Sequence, residues 1–377
     1  MATQATTDAT ATASDTAGAP GDADALPPGD GVSMAELGLA TRNHGLPLEA
    51  LRYDVTPVGL HYLLTHYDIP AADPDTWALE VGGAVGQPVS LSLADLRALP
   101  AVTRTVTMEC AGNGRALMAP RPPSQPWVLE AVGTGSWTGV PLADLLGRAG
   151  VGADAVEVLF TGADRGVENG VEQAYQRSLT VADALGAEAL VAYDLNGAPL
   201  PPQHGAPLRL VVPGWYGMTS VKWLRSIVLL TEPFDGYQQA WAYRLRQDAG
   251  EEGVPLSRIE PRSLMVPPGI PEFFTRERSL PPGPVTVTGR AWSGYGPVTE
   301  VAVSTDGGAT WVAADVDPAG ALGAWQGWRC TVEAVAGDRE FCARATDATG
   351  RTQPLDTPWN LGGYANNAVH RVPVHVA

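Results

Sequence analysis

Turn-forming residues cut this sequence into short pieces: 43 glycines and 33 prolines in 377 residues leave few stretches long enough for an extended helix. Short strands and brief helices between turns are the expected result. The length exceeds what one hydrophobic core usually supports, so two folded units are expected, and a hydrophobic fraction of 45% is enough to fill both.

The order of the pieces gives an organisation. Residues 1–31 are mostly Ala, Thr, Asp, Gly and Pro; with almost no large apolar side chains they are expected to form a disordered tail. From Trp77 onward, strands are predicted over residues 77–81, 103–109, 156–160, 189–193, 208–212 and 221–230, and helices over 93–99 and 142–149. These predict an α+β unit spanning 32–250. A Pro-, Gly- and charge-rich connector is placed at 251–280, without helical or strand periodicity. Beyond it, over 281–377, segments beginning at Val285, Val301, Trp311 and Arg339 read as short strands. Asp306-Gly307-Gly308 reads as a hairpin turn, and together they predict a β-sandwich of immunoglobulin size.

A formal charge of −17 argues against nucleic acid or an anionic membrane as a partner bound through a general basic field. An anionic ligand must instead be met by local cations. The only lysine is Lys222, where a compact ammonium with rotating donors serves differently from a planar guanidinium. Cys110, Cys330 and Cys342 make an odd count without a Cys-x-x-Cys pair, which points away from a disulfide framework or zinc cluster and toward a reducing compartment. No apolar run reaches the roughly 18 to 20 residues of a membrane span. The first basic residue is Arg42, so a cytoplasmic location is expected.

Chemistry concentrates in Thr107-Met108-Glu109-Cys110-Ala111-Gly112-Asn113-Gly114-Arg115. A strand ending at a cysteine and followed by small residues presents the side chain to a cleft while the backbone folds closely around a ligand. A thiolate suits a soft, redox-active metal, and Arg115 favours both the thiolate and an oxyanion beside it. Taken alone, a buried cysteine is more often inert packing.

The run Glu109 to Arg115 resembles the molybdenum-ligand loop of the sulfite oxidase family. Further resemblances follow in order. Tyr193 to Gly197, Leu200 to Gly214 and Ser220 to Trp223 are similar to the cofactor-cradling half of that family. Ala291 to Gly294, Ser304 to Gly308 with Trp311, and Trp359 to Val372 are similar to its dimerisation sandwich. The resemblance spans about residues 41–377. It implies a molybdenum–molybdopterin cofactor with Cys110 as the protein ligand. It also implies pterin contacts at Tyr62, Leu63, Leu64, Thr65, His66, Asp164, His204, Arg209, Ser220, Val221 and Lys222. Tyr193 would stand beside the reacting oxygen, and Arg115 and Trp127 in the substrate pocket. Pairing as a homodimer through the second unit is implied as well.

Two departures stand out. Where the family carries Arg-Asn-His after a Thr-Pro pair, this chain reads Leu64-Thr65-His66, while Arg42-Asn43-His44 spells the triplet upstream at a different place. A second pocket arginine is missing after Gly294, where Tyr295-Gly296-Pro297 follows. A desolvated anion without paired donors is strongly disfavoured; His61 and Arg165 are candidates to stand in.

Gly-x-Ser-x-Gly, His-Glu-x-x-His and Walker sequences are absent, and Gly133-Thr134-Gly135 reads as a turn. No haem-attachment sequence is present, so electrons are expected to leave to an external acceptor. The expected activity is oxygen-atom transfer to a small anionic or sulfur-containing substrate such as sulfite. Reduction of an S-oxide or nitrate on the same cofactor, and noncatalytic pterin binding, are the alternatives.

Overall fold

The computed structural model describes residues 31–168, 170–320 and 323–377. The expected tail, apart from Gly31, lies outside the described residues. Strands dominate, and the longest described helix, Met34–Arg42, has nine residues. Its start is fixed by a capping box in which Ser33 and Glu36 satisfy each other's backbone N–H groups; Ser92 and Asp95 do the same for helix Leu93–Ala98. Helix Leu142–Ala149 buries Leu142, Leu145, Leu146 and Ala149, a spacing that puts all four on one face, and stops at Gly150.

Two sheets form the first unit. One has the order Val89–Ser92, Ala78–Gly83, Leu224–Leu230, Glu157–Glu168, Val171–Thr180. The other runs Val102–Glu109, Val132–Pro141, Leu190–Leu195, Ala198–Pro199, with Arg209–Val211 also on Leu190–Leu195. Their shared core includes Leu79, Val140, Leu145, Phe160, Val191, Leu210 and Ile227. Fully burying such side chains stabilises by about 1.5–3 kcal/mol each.

Two more sheets enclose a second core. Arg262–Met265, Gly283–Trp292, Gln326–Ala334 and Asp315–Val316 make one layer. Ile270–Pro271, Arg278–Leu280, His370–Val376, Gly337–Asp347, Val298–Ser304 and Val312–Ala313 make the other. Val287, Trp328 and Val332 from the first meet Val303, Phe341, Ala345 and Val374 from the second.

Three segments depart from expectation. The connector contributes strands: Arg262–Met265 pairs in register with Gly283–Trp292, so the second unit begins well inside 251–280. Gly133-Thr134-Gly135 lies within the strand Val132–Pro141 instead of a turn. A Cβ on Gly133 would stand 2.7 Å from the His61 ring, so this glycine serves close approach and not chain reversal. The strand expected from Val221 begins at Leu224, because Trp223 has φ +49° and breaks the extended run after Lys222.

Candidate active site

Cys110 stands where a strand runs out. Strand Val102–Glu109 pairs with Val132–Pro141 up to Glu109 opposite Val132, and the Cys110 N–H continues the ladder to Ala131 O at 2.9 Å. The chain then turns: Asn113 N–H donates to Cys110 O at 3.0 Å, and Gly112 N–H points at Sγ at 3.4 Å. The Asn113 side chain locks the loop by accepting from Ala131 N–H at 3.1 Å and donating to Glu109 Oε1 at 3.0 Å. Burial pushes the thiol pKa up, opposed by the Arg115 guanidinium and the Gly112 N–H.

Behind the loop lies a buried ion pair reaching across to the second unit. Arg262 Nε sits 2.9 Å from Glu109 Oε1, close but poorly aligned as a hydrogen bond, and both side chains are 2% exposed. Trp292 Nε1 donates to Glu109 Oε2 at 2.8 Å. Arg262 also donates to the carbonyls of Asn113 and Asn366.

On one side of Cys110 a cleft is lined by His61, Tyr62, Leu63, Leu64, His66, Asp164, His204, Arg209, Ser220 and Lys222, among others. Its cations lack carboxylate partners within 4.0 Å among the described residues. Arg209 donates to His204 O at 3.0 Å and Ser220 O at 3.1 Å, and lies over the Trp137 ring. Lys222 Nζ donates to Leu64 O at 2.8 Å and Gln203 O at 3.2 Å. Burial lowers their pKa values, Arg209 to about 10 and Lys222 to about 7. Burial also lowers His61 to about 4 and His204 to about 2, so both are neutral at pH 7. Asp164 is raised by burial to about 6, and its Oδ1 is buried without a partner. Cations without carboxylates, neutral imidazoles and an orphaned carboxylate oxygen together make a polar cradle shaped for something other than protein.

A second cavity adjoins the first at the same cysteine, sharing Leu64, His66, Cys110 and Tyr243 with it. Arg115 and Trp127 line it. Arg115 donates to Gly362 O at 2.8 Å and Gln125 O at 3.3 Å, lies over the Tyr364 ring, and has no carboxylate within 4.0 Å among the described residues. Its guanidinium lies flat on Gly112, where a Cβ would come within 2.9 Å of it. Trp127 Nε1 has no aligned partner yet stands close enough to the thiol to lower its pKa.

The expected residues divide. Tyr62, Leu63, Leu64, His66, Cys110, Asp164, His204, Arg209, Ser220 and Lys222 line the basic cleft, while Thr65, Arg115 and Trp127 line the second cavity with Cys110. Val221 points into the main core and spaces Ser220 from Lys222. Tyr193 is a correction: it packs in that core under Arg97, at 4.3 Å from its ring, and lines neither cavity, since its strand buries this face between layers. Arg165 is another. It is exposed, paired with Glu172 at 2.9 Å, and cannot replace a pocket arginine.

Several residues at the site were not foreseen. Tyr243 touches both cavities, its hydroxyl 2.5 Å from His66 Nε2, and Tyr175 stacks on His66. Asn43, from the upstream Arg-Asn-His, accepts from Thr65 N–H at 2.7 Å and donates to Gln125 at 2.9 Å. Backbone pairing of His44 with Leu63 brings it there, a non-local contact without sequence pattern.

Comparison with known proteins identifies this arrangement. Residues 66–238 match the oxidoreductase molybdopterin binding domain, and 259–377 the Mo-co oxidoreductase dimerisation domain. Sulfite oxidase of Gallus gallus is 36% identical over 84% of this chain and 72% of its own length. Mitochondrial sulfite oxidase of Homo sapiens is 38% identical over 86% of this chain but 62% of its own length. A nitrate reductase of Hordeum vulgare is 34% identical over 85% of this chain and 39% of its own. The crystal structure of the sulfane dehydrogenase SoxCD from Paracoccus pantotrophus superposes with a TM-score of 0.77 at 25% identity, covering 88% of this chain and 86% of that one. The chain belongs to the sulfite oxidase family of molybdopterin-dependent oxidoreductases.

Proposed function

We propose that Cys110 is the protein ligand of the molybdenum–molybdopterin cofactor, that the basic cleft holds the pterin, and that the second cavity holds a sulfur oxyanion. The enzyme oxidises that substrate and passes two electrons to an external acceptor. One observation carries this reading: a single thiol stands where two chemically unlike cavities meet.

The cleft fits the group. Arg209 and Lys222, buried without carboxylates, suit a phosphate tail. Asp164 Oδ1, buried and unpartnered, suits the N–H donors of a pterin ring. Among the described residues no three His, Cys, Asp or Glu side chains gather as a metal site, so Cys110 would hold a metal as its one ligand of these types.

When bound, the cofactor supplies two-electron oxygen-transfer chemistry. The chain's own residues bind and orient. Arg115 supplies the positive charge that meets an oxyanion beside the thiol, and the Trp127 N–H is turned toward the thiol itself. Tyr243 and His66 hold one proton between them. It resides on the phenol, because burial raises the Tyr243 pKa and lowers that of His66 to about 3. Tyr243 takes the place assigned to Tyr193.

The remaining reading concerns the whole assembly. The two-layered C-terminal unit is taken as an immunoglobulin-like sandwich pairing two copies, and the location as a reducing cytoplasm. Cys330 and Cys342 are free thiols on strands of different layers. No helix among the described residues is long and apolar enough to cross a membrane.

Metal analysis with X-ray absorption tests the assignment. A third sulfur beside two dithiolene sulfurs, lost in Cys110→Ser, is expected. A wild-type protein that retains no molybdenum would leave only noncatalytic binding. Turnover of nitrate or S-oxides without oxidation of any sulfur oxyanion would make the enzyme a reductase.

A further inference from the structure

The second cavity has a charge inventory that narrows the substrate. Arg115 is the one Lys or Arg among its lining residues, and Glu168 is its one carboxylate. His66, which also faces it, is neutral because burial lowers its pKa to about 3. The other polar lining groups, including Asn43, Thr65 and Gln125, carry no charge. Beside one guanidinium and one carboxylate, a dianion would be left with at least half its charge uncompensated and would meet twice the repulsion from Glu168 that a monoanion meets. A single negative charge pairs one to one with Arg115, and Glu168 accepts from the Tyr67 hydroxyl at 3.3 Å.

The walls are the second constraint. Leu64 packs against the cluster of Cys110, Trp127 and Ala131, and Leu64 and Trp127 both line this cavity beside Cys110. Leu39, Ala242, Tyr243 and Tyr364 continue the apolar and aromatic lining. The cavity volume is about 200 Å³, more than a bare sulfur oxyanion fills. Apolar walls beside a single cation favour a ligand with a monoanionic head and a hydrocarbon body.

We infer that the substrate is an organosulfinate, an R–SO₂⁻ monoanion whose head pairs with Arg115 and whose R group lies against Leu64, Trp127 and Tyr364. This rests on the oxidase reading above and names its substrate class. In the reaction a water oxygen becomes bonded to sulfur and the water's two O–H bonds break. Two protons pass to solvent, and the sulfur lone pair leaves as two electrons to a one-electron acceptor of the haem type, reduced twice. The product is the sulfonate R–SO₃⁻, still a monoanion, so the charge at Arg115 is constant through turnover.

Calorimetric titration of the molybdenum-loaded protein with benzenesulfonate and with sulfate, at fixed pH and ionic strength, tests the class without turnover. Benzenesulfonate is expected to bind at least about tenfold more tightly, the scale on which a filled apolar pocket discriminates. Leu64→Arg, which adds a second cation and removes the hydrocarbon wall, is expected to reverse that preference. Arg115→Met is expected to abolish binding of both. With ferricyanide as acceptor, benzenesulfinate should exceed sulfite in kcat/KM by a similar factor in the wild type. Equal or tighter binding of sulfate by the wild type overturns the inference, as does faster turnover of sulfite. An unchanged ratio in a folded Leu64→Arg does the same. None of these outcomes touches the metal assignment, which stands or falls on the third sulfur.

Discussion

The two cavities that meet at Cys110 are built on opposite principles. The cleft toward His204 and Lys222 gathers buried cations and gives them backbone carbonyls in place of carboxylates. The cavity toward Trp127 keeps a single guanidinium and a single carboxylate, Glu168, and fills its remaining wall with rings, amides and leucine. The first is organised to hold something permanently, since the missing counter-charge must be brought in and its departure leaves desolvated cations behind. On the proposed assignment the second lets something go, because one cation set against one carboxylate and an apolar wall binds an anion without trapping it. Retention and exchange are thus separated by the width of one side chain.

The largest test of that division removes the divider. Cys110→Ser is expected to lower turnover by more than the roughly 10- to 100-fold that loss of an outer-shell partner costs, with loss of the metal–sulfur signal. Weaker loss would mean that the two cavities do not communicate through this sulfur. Next comes the support behind it. Arg262→Met leaves Glu109 buried without its cation and should destabilise the fold by about 3–5 kcal/mol, read as a shift in the urea midpoint. Adding Glu109→Gln should restore much of it, and a double mutant no better than the single would show that the pair is not the unit.

A third experiment sets the cavities against each other. Arg209→Met should lower cofactor retention by about tenfold or more while leaving the cofactor-free protein equally or more stable, because the substitution relieves an unpaired buried charge. Arg115→Met should leave retention unchanged. Molybdenum content and thermal midpoints decide both.

The smallest effect is a pH slope. Lys222 has its folded-state pKa depressed to about 7, so between there and the unfolded value near 10.5 the unfolded chain carries more protons. Stability of the cofactor-free protein should therefore rise with pH across that window, by up to about 1 kcal/mol per unit, and fall away as pH drops toward 7. Lys222→Met should flatten the slope; a slope that survives belongs to another group.

What the sequence made legible follows from locality. The thiol loop could be read because strand, cysteine, small residues and arginine are contiguous, and helix 142–149 because its apolar spacing is complete within eight residues. Tyr243 could not be read, since it belongs to the irregular segment between Ala240 and Arg244 and meets His66 only through the tertiary fold. Tyr193 was misplaced because its resemblance to a site tyrosine says nothing of which face of the strand turns inward. Gly133 shows the same limit: its meaning depends on His61, a residue 72 positions away in the chain. The connector concealed Arg262–Met265 because that strand is too short for a period to declare itself.

The Glu109–Arg262 pair has a consequence for biogenesis. A nascent chain exposes the Cys110 loop long before Arg262, Trp292 and Asn366 have been synthesised, and those residues supply the charge and hydrogen bonds on which that loop leans. If Cys110 holds the metal as proposed, insertion is expected to follow docking of the C-terminal half, and a truncated chain ending before it would offer the thiol on an unsupported tether.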